Sequence, residues 1–271
     1  MIVIPTGPVS PAHKRDIGLK SAKGEIIAFL DDDAWPEKGW LKNAIRHFEN
    51  NDVAAVAGPA KTPPDDGSRQ KASGEIYSSI LVSGKYAYRY VPKEGREVDD
   101  YPSCNFIVRK AIIQQVGGFN TDFWPGEDTK LCLDITKRLG KKIIYDPLVL
   151  VYHHRRPVFI PHLKQIASYA LHRGYFVKKY PETSLRPAYF LPSIFVLGLV
   201  LGAPVSLCIP MFKLAYLSGI FIYLFLALIF SFSNGLGLIG LIFFGIIFTH
   251  VTYGVFFLKG LFTKRLPEES Y

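Results

Sequence analysis

Along the first 155 or so positions, short continuous apolar runs alternate with segments whose apolar residues return every three or four. Ile26–Leu30 is an unbroken apolar run, the pattern of a strand covered on both faces, and Val53–Ala57 repeats it. Residues 143–145 and 149–152 read as two further strands, and residues 2–5 as a short one. Between the strands, residues 11–23 read as a helix closed by Gly24. Pro36 opens another, with Trp40, Leu41, Ala44, Ile45 and Phe48 on one face. In residues 128–139, Leu131, Ile135 and Leu139 recur at helical spacing and Gly140 closes the pattern. Residues 60–103 are rich in Gly, Pro, Ser and charge and read as loop with some helix. Strands alternating with helices predict an α/β layered domain with a mostly parallel sheet.

The pattern then changes. Between about 188 and 258 the only Asp, Glu, Lys or Arg is Lys213. Apolar segments at about 188–210, 212–232 and 236–258 each approach the roughly 20 residues a membrane span requires, and Pro192, Pro204 and Pro210 are compatible with spanning. The expected organisation is residues 1–160 as an α/β domain and 161–187 as a basic juxtamembrane connector. Residues 188–258 follow as two or three transmembrane helices, and 259–271 as a polar tail. Basic residues precede the apolar part (Arg155, Arg156, Arg173, Lys178, Lys179, Arg186) and follow it (Lys259, Lys264, Arg265). Three spans would put these groups on opposite sides of the membrane; two would put both in the cytosol.

Composition refines this reading. With 49% hydrophobic and 14% aromatic residues, the 271-residue chain has ample material for a core. The net charge of +9 is concentrated beside the apolar segments, which fits anionic lipid head groups, and no nucleic-acid motif accompanies it. Cys104, Cys132 and Cys208 are widely spaced, form no metal-binding pair and suit a reducing cytosol. The opening MIVIPTGP lacks the basic and apolar regions of a secretory signal. The expected location is therefore the cell membrane, multi-pass, with the polar domain cytoplasmic and no nucleic-acid partner.

The chemistry gathers at strand ends. GEIIAFLDDDAWP ends an apolar strand in Asp31, Asp32 and Asp33, where ligands of α/β sheets bind. Three adjacent carboxylates repel one another, so a cation is the natural occupant; alone, they could equally form a solvated turn capping the next helix. PGEDTKL places Glu127 and Asp128 at a helix start, and VLVYHH ends a strand in His153 and His154. Carboxylates with a histidine form a donor set for a divalent metal, and a carboxylate near an acceptor hydroxyl can serve as general base.

In order, FLDDDAWP, CNFIVRKAIIQQVGGF and GEDTKLCLDITKRLGKKIIYDPLVLVYHH resemble the family-two glycosyltransferases of the GT-A fold. The resemblance covers most of residues 1–155. It implies a Rossmann-like GT-A domain that transfers a sugar from a nucleotide-sugar donor, with manganese or magnesium held by a D-x-D motif, here Asp31 to Asp33. It also implies that Asp31 and Asp32 approach the donor and that Glu127 and Asp128 form the acidic pair on the acceptor side. Asp128 is the general base of choice, with Glu127 positioning the acceptor or exchanging roles with it. A histidine after the last core strand maps to His153 or its neighbour, with His153 taken as the metal candidate. Arg15 and Asp16, with Gly18, match the segment that approaches the donor; Asn105 and Gly117 to Phe119 match the acceptor-side strand and turn.

Two departures stand out. Lys130 occupies a position that is often acidic in the family, and the stretch before Asp31 is too short for the family's usual strand–helix–strand unit around the nucleotide base. The latter gives the expectation of an N-terminally short domain that discriminates poorly among nucleoside diphosphates. The processive Q-x-x-R-W motif is absent, so one sugar per encounter is expected, from a membrane-bound enzyme with a lipid-linked or envelope-glycan acceptor and an inverting displacement. The alternative is a noncatalytic membrane protein that retains a degenerate GT-A domain.

Overall fold

A computed structural model describes residues 3–232 and 236–270. In chain order the elements begin with α1 (Pro11–Ser21), β1 (Ile26–Leu30), β2 (Ala34–Pro36), α2 (Trp40–Ile45), β3 (Val53–Ala57) and β4 (Ala60–Lys61). There follow α3 (Ser68–Ser78), α4 (Ile80–Ser83), β5 (Arg96–Val98), β6 (Asn105–Arg109), α5 (Lys110–Gln115) and α6 (Glu127–Leu133). The remainder is β7 (Lys142–Tyr145), β8 (Val151–His153), α7 (Ile160–Lys179), α8 (Pro181–Ser184), α9 (Pro187–Cys208), α10 (Pro210–Ser231) and α11 (Ile239–Phe262). Two compact units result. One is drawn from the segments up to Lys61, Val91–His153 and from Lys264 onward, the other from Thr62–Tyr90 and His154–Thr263.

The first unit is built on a five-stranded sheet of order β1-β6-β3-β7-β5. β3 and β7 run parallel, while β6 is antiparallel to both β1 and β3, and β5 to β7. The α/β class is as expected, and the sheet is mixed, because β6 enters against the direction of both neighbours. A smaller sheet joins β2, β8 and β4, with β2 antiparallel and β4 parallel to β8. β3 is buried at every position, and its Val53 and Val56 pack with Trp40, Ala44, Phe48, Ile107, Val149 and Val151 in one core.

Several elements differ from the sequence reading. Residues 3–5 form no strand, and Ile2 lies outside the described residues. α1 stops at Ser21. α2 lasts six residues before tightening into the 3-10 turn Arg46–Glu49, so Trp40, Ala44 and Phe48 face the core while Leu41 and Ile45 stand 49% and 55% exposed. The helix expected over 128–139 runs as α-helix to Leu133 and continues without a break as a wider π-helical turn over Asp134–Arg138. Asp134 is buried there and takes ion pairs from Lys130 at 2.7 Å and Arg138 at 2.8 Å. Those pairs give Lys130 its role and offset the cost of burying the carboxylate.

In the second unit α3, α7 and α11 pack around Ala72, Ile76, Val158, Ile242 and Ile246, joined by Ala227 of α10. His162 of α7 is fully buried between two hydroxyls, Ser73 Oγ at 2.8 Å from Nδ1 and Thr249 Oγ1 at 3.0 Å from Nε2. Burial pushes its pKa down to about 4, since a charged imidazole there would lose its hydration. α9, α10 and α11 are each long and apolar enough to cross a membrane.

Candidate active site

β1 delivers Asp31 to the end of the sheet, and a two-residue turn over Asp32 and Asp33 carries the chain into β2. β2 pairs with β8 so that Ala34 lies opposite His153. This register sets His153 Nε2 2.9 Å from Asp33 Oδ1. One ligand atom from each of Asp31, Asp33 and His153 lies within 4.8 Å of the other two. Two carboxylates and an imidazole so arranged form a donor set that could hold a divalent cation. Asp32 sits exposed on the turn. The neighbouring histidine goes elsewhere: His154 Nδ1 meets the buried carboxylate of Asp66 at 2.5 Å within the second unit. Pairing register thus separates two histidines that sequence alone left as alternatives.

The acidic pair is divided in the same way. Glu127 is 5% exposed at the N-terminus of α6, where Oε1 accepts from Arg15 Nη1 at 2.8 Å and Oε2 from the Gly126 N–H at 3.0 Å. Arg15 Nη2 reaches Asp31 Oδ1, also at 2.8 Å, and its guanidinium lies 5.4 Å from the centre of the Phe119 ring. Burial by itself would lower the Arg15 pKa, but the charges of Glu127 and Asp31, with the hydrogen bond to Glu127 and the charge of Asp128, outweigh it and raise the value. Arg15 is therefore a fixed cation joining the carboxylates of Asp31 and Glu127. Asp128 is half-buried, and its Oδ1 accepts from the Thr129 N–H at 2.7 Å.

Other expected site residues hold the scaffold. Asp16 Oδ1 accepts from the Phe119 N–H at 2.8 Å and Oδ2 from the Asn120 N–H at 3.3 Å, fixing the turn whose Phe119 supports Arg15. Asn105 is fully buried beside the end of β1. It accepts from Trp40 Nε1 at 2.9 Å and donates to the carbonyls of Gly58 and Val149, each at 2.7 Å. Gly58 is obligatory there: a Cβ would sit 1.8 Å from the Val149 carbonyl oxygen. Sequence reasoning missed Phe119 as a support for Arg15 and β2 as the strand that seats His153. The aromatic after a Gly-Gly pair was the one available signal for the first.

The acidic, histidine-completed cluster lies at the end of a strand, the place where ligands bind in open α/β sheets. Residues 6–117 match the family Glycosyl transferase family 2. The chain is 34% identical over 146 residues to the pre-mycofactocin glycosyltransferase of Mycobacterium tuberculosis, a match covering 54% of this chain and 30% of the relative. It is 28% identical over 167 residues to the dolichyl N-acetyl-alpha-D-glucosaminyl phosphate 3-beta-D-2,3-diacetamido-2,3-dideoxy-beta-D-glucuronosyltransferase of Methanococcus voltae, covering 60% of this chain and 50% of the relative. With the glucosyl-dolichyl phosphate glucuronosyltransferase of Haloferax volcanii the identity is 21% over 149 residues, covering 52% and 47%. The chain thus matches half or less of the length of these relatives. Among solved structures, the mannosyltransferase PcManGT from Pyrobaculum calidifontis, in complex with GDP-Man and Mn2+, aligns over 94% of this chain and 68% of its own at 19% identity, with a TM-score of 0.48.

Proposed function

We propose that this chain is a membrane-anchored, metal-dependent glycosyltransferase that moves one sugar at a time from a nucleotide-sugar donor to a lipid-linked acceptor, with inversion at the anomeric carbon and the catalytic domain on the cytoplasmic side. The observation that carries the reading is the convergence of Asp31, Asp33 and His153 within 4.8 Å at the end of β1, in a chain whose residues 6–117 match Glycosyl transferase family 2. The names of two relatives, which describe transfer to dolichyl-linked sugars, support the acceptor class.

Asp31, Asp33 and His153 would hold the cation, which when bound supplies positive charge where the departing diphosphate becomes negative. Arg15 holds Asp31 and Glu127 in a fixed relation, so the carboxylates on the two sides of the reacting sugar keep their spacing. Glu127, committed to Arg15 and the Gly126 N–H, positions the acceptor. Asp128 takes the proton from the acceptor hydroxyl as it attacks the anomeric carbon, and the sugar–phosphate bond breaks on the opposite face.

The test compares Asp128→Asn with Glu127→Gln in the purified full-length protein. Asp128→Asn is expected to lower turnover by roughly 100-fold or more while donor affinity, measured by calorimetry, is unchanged. A larger loss from Glu127→Gln at unchanged donor affinity would exchange the two roles. Undiminished turnover in both folded variants would overturn the site.

A further inference from the structure

Although α9, α10 and α11 are equally apolar, they do not pack as three successive staves. α9 and α10 form an antiparallel hairpin: the Tyr216 hydroxyl donates to the Leu199 carbonyl at 2.9 Å, and Phe195 lies 4.3 Å from Tyr223, ring centre to ring centre. A third span following α10 would run antiparallel to it and hence parallel to α9. The contacts of α11 with α9 run the other way. Phe190 meets Phe257 at 4.9 Å, Ser193 Oγ donates to the Gly254 carbonyl at 3.0 Å, and Phe195 meets His250 at 6.5 Å. Positions fall in α11 as they rise in α9.

Chain length excludes the remaining way of making α11 a third stave. If α11 continued along α9 in that sense, Ile239 would lie about 16 Å beyond His250 toward the Cys208 end of the hairpin. Ser231 lies about 12 Å from Tyr223 toward the opposite end, and Tyr223 and His250 are joined by a 2.9 Å hydrogen bond. The short connection from Ser231 to Ile239 would have to be fully stretched to close that gap. It instead contains the 3-10 turn Leu236–Leu238. α11 must therefore cross the hairpin at a steep angle, near the start of α9 and the end of α10.

The partner that α11 does run alongside is α7. Phe159 meets Phe248 at 6.2 Å, His162 meets Thr249 at 3.0 Å, and Lys178 Nζ donates to the Thr263 carbonyl at 2.5 Å. A Cβ on Gly260 would fall 2.0 Å from the Leu171 carbonyl oxygen, so the two helices touch backbone to backbone. α7 carries Lys164, Arg173, Lys178 and Lys179, and a helix with four cations cannot accompany α11 through hydrocarbon. On its outer side α11 exposes one apolar stripe, Phe244, Phe248, Val255 and Phe262. Of the three helices α11 is the most enclosed, with 39% of its span buried against 22% for α9 and 11% for α10.

We infer that only α9 and α10 cross the membrane, and that α11 lies along the lipid surface beside α7, with its aromatic stripe in the acyl chains and the cations of α7 among anionic head groups. This places the basic groups before α9 and those after α11 on one side of the bilayer, and the turn at Cys208 and Ile209 on the other. The inference rests on the membrane anchorage proposed above and not on the transfer chemistry.

The full-length protein in sealed vesicles of known sidedness tests it by labelling with a membrane-impermeant maleimide. Cys208 is the native reporter for the hairpin turn. Glu182→Cys and Lys264→Cys, each with Cys104, Cys132 and Cys208 changed to serine, report the two basic flanks. The expected result is that Glu182→Cys and Lys264→Cys label from the same side and Cys208 from the other. Labelling of Lys264→Cys from the side of Cys208 would mean three crossings and overturn the inference. Labelling of all three from one side, with release of the protein by alkaline carbonate, would instead overturn membrane anchorage itself. Where a cysteine variant fails to fold, protease accessibility of the native tail decides the same question.

Discussion

Replacing Arg15 with methionine removes the cation but keeps an unbranched apolar stem over Phe119. Two contacts of 2.8 Å are lost, and they differ in weight. The Asp31 side chain is 31% exposed, so its arm counts as a near-surface ion pair, under about 1 kcal/mol. The Glu127 side chain is 7% exposed, and a buried carboxylate stripped of its partner costs about 3–5 kcal/mol, reduced here because the Gly126 N–H remains. A net loss of about 3 kcal/mol is expected, or roughly 6–12 °C in Tm for a domain of this size. All three tryptophans, Trp35, Trp40 and Trp124, fall in the first unit, so intrinsic fluorescence in detergent follows its melting without interference from the apolar helices. Arg15→Lys should be intermediate, because one ammonium cannot hold both carboxylates in a fork. With the competing cation gone from Asp31, manganese should bind the variant at least as tightly as the parent. A melting point for Arg15→Met within about 1 °C of the parent would refute the bridge as an energetic element.

Two further outcomes follow from burial. The folded pKa of His162, about 4, lies below the ordinary histidine value, so the unfolded chain binds the extra proton first as pH falls. The second unit should keep its full stability above pH about 6.5 and lose about 3 kcal/mol as pH drops toward 4; circular dichroism melts should show this slope in the parent and not in His162→Gln, and equal slopes would contradict it. Gly58→Ala places a methyl group 1.8 Å from the Val149 carbonyl and pushes apart the loops that Asn105 holds. It should cost about 3 kcal/mol or more by urea denaturation, and an unchanged midpoint would show that the loops yield freely.

What could be read from the sequence is what local pattern encodes. β1 and β3 appear at the expected positions; β3 is buried at every residue as a continuous apolar run predicts, whereas β1, at the edge of the sheet, is only partly covered. The position of Asp31 to Asp33 at a strand end followed directly. What escaped depends on partners far along the chain. Pro36 reads as a helix start, yet it ends β2, an edge strand formed because Val151 lies opposite. That pairing shifts the last strand to Val151–His153 and decides which histidine joins the acids. Asp16 reads as a donor ligand because its neighbours do; its carboxylate is taken by backbone N–H groups more than 100 positions away. The count of membrane crossings was open for the same reason, since hydropathy measures a helix's composition and not the helix it packs against.

The central claim is that the acids at the end of β1, with His153, hold a divalent cation on which glycosyl transfer depends. It is tested most directly by following turnover of nucleotide-sugar donors by the full-length protein in manganese, in chelator, and with Asp33→Asn. The account predicts donor turnover in manganese that falls by about 100- to 1,000-fold in chelator and, equally, in a folded Asp33→Asn variant, where excess manganese restores little. Turnover in chelator equal to that in manganese, or a folded Asp33→Asn enzyme that works at the parent rate, would contradict it.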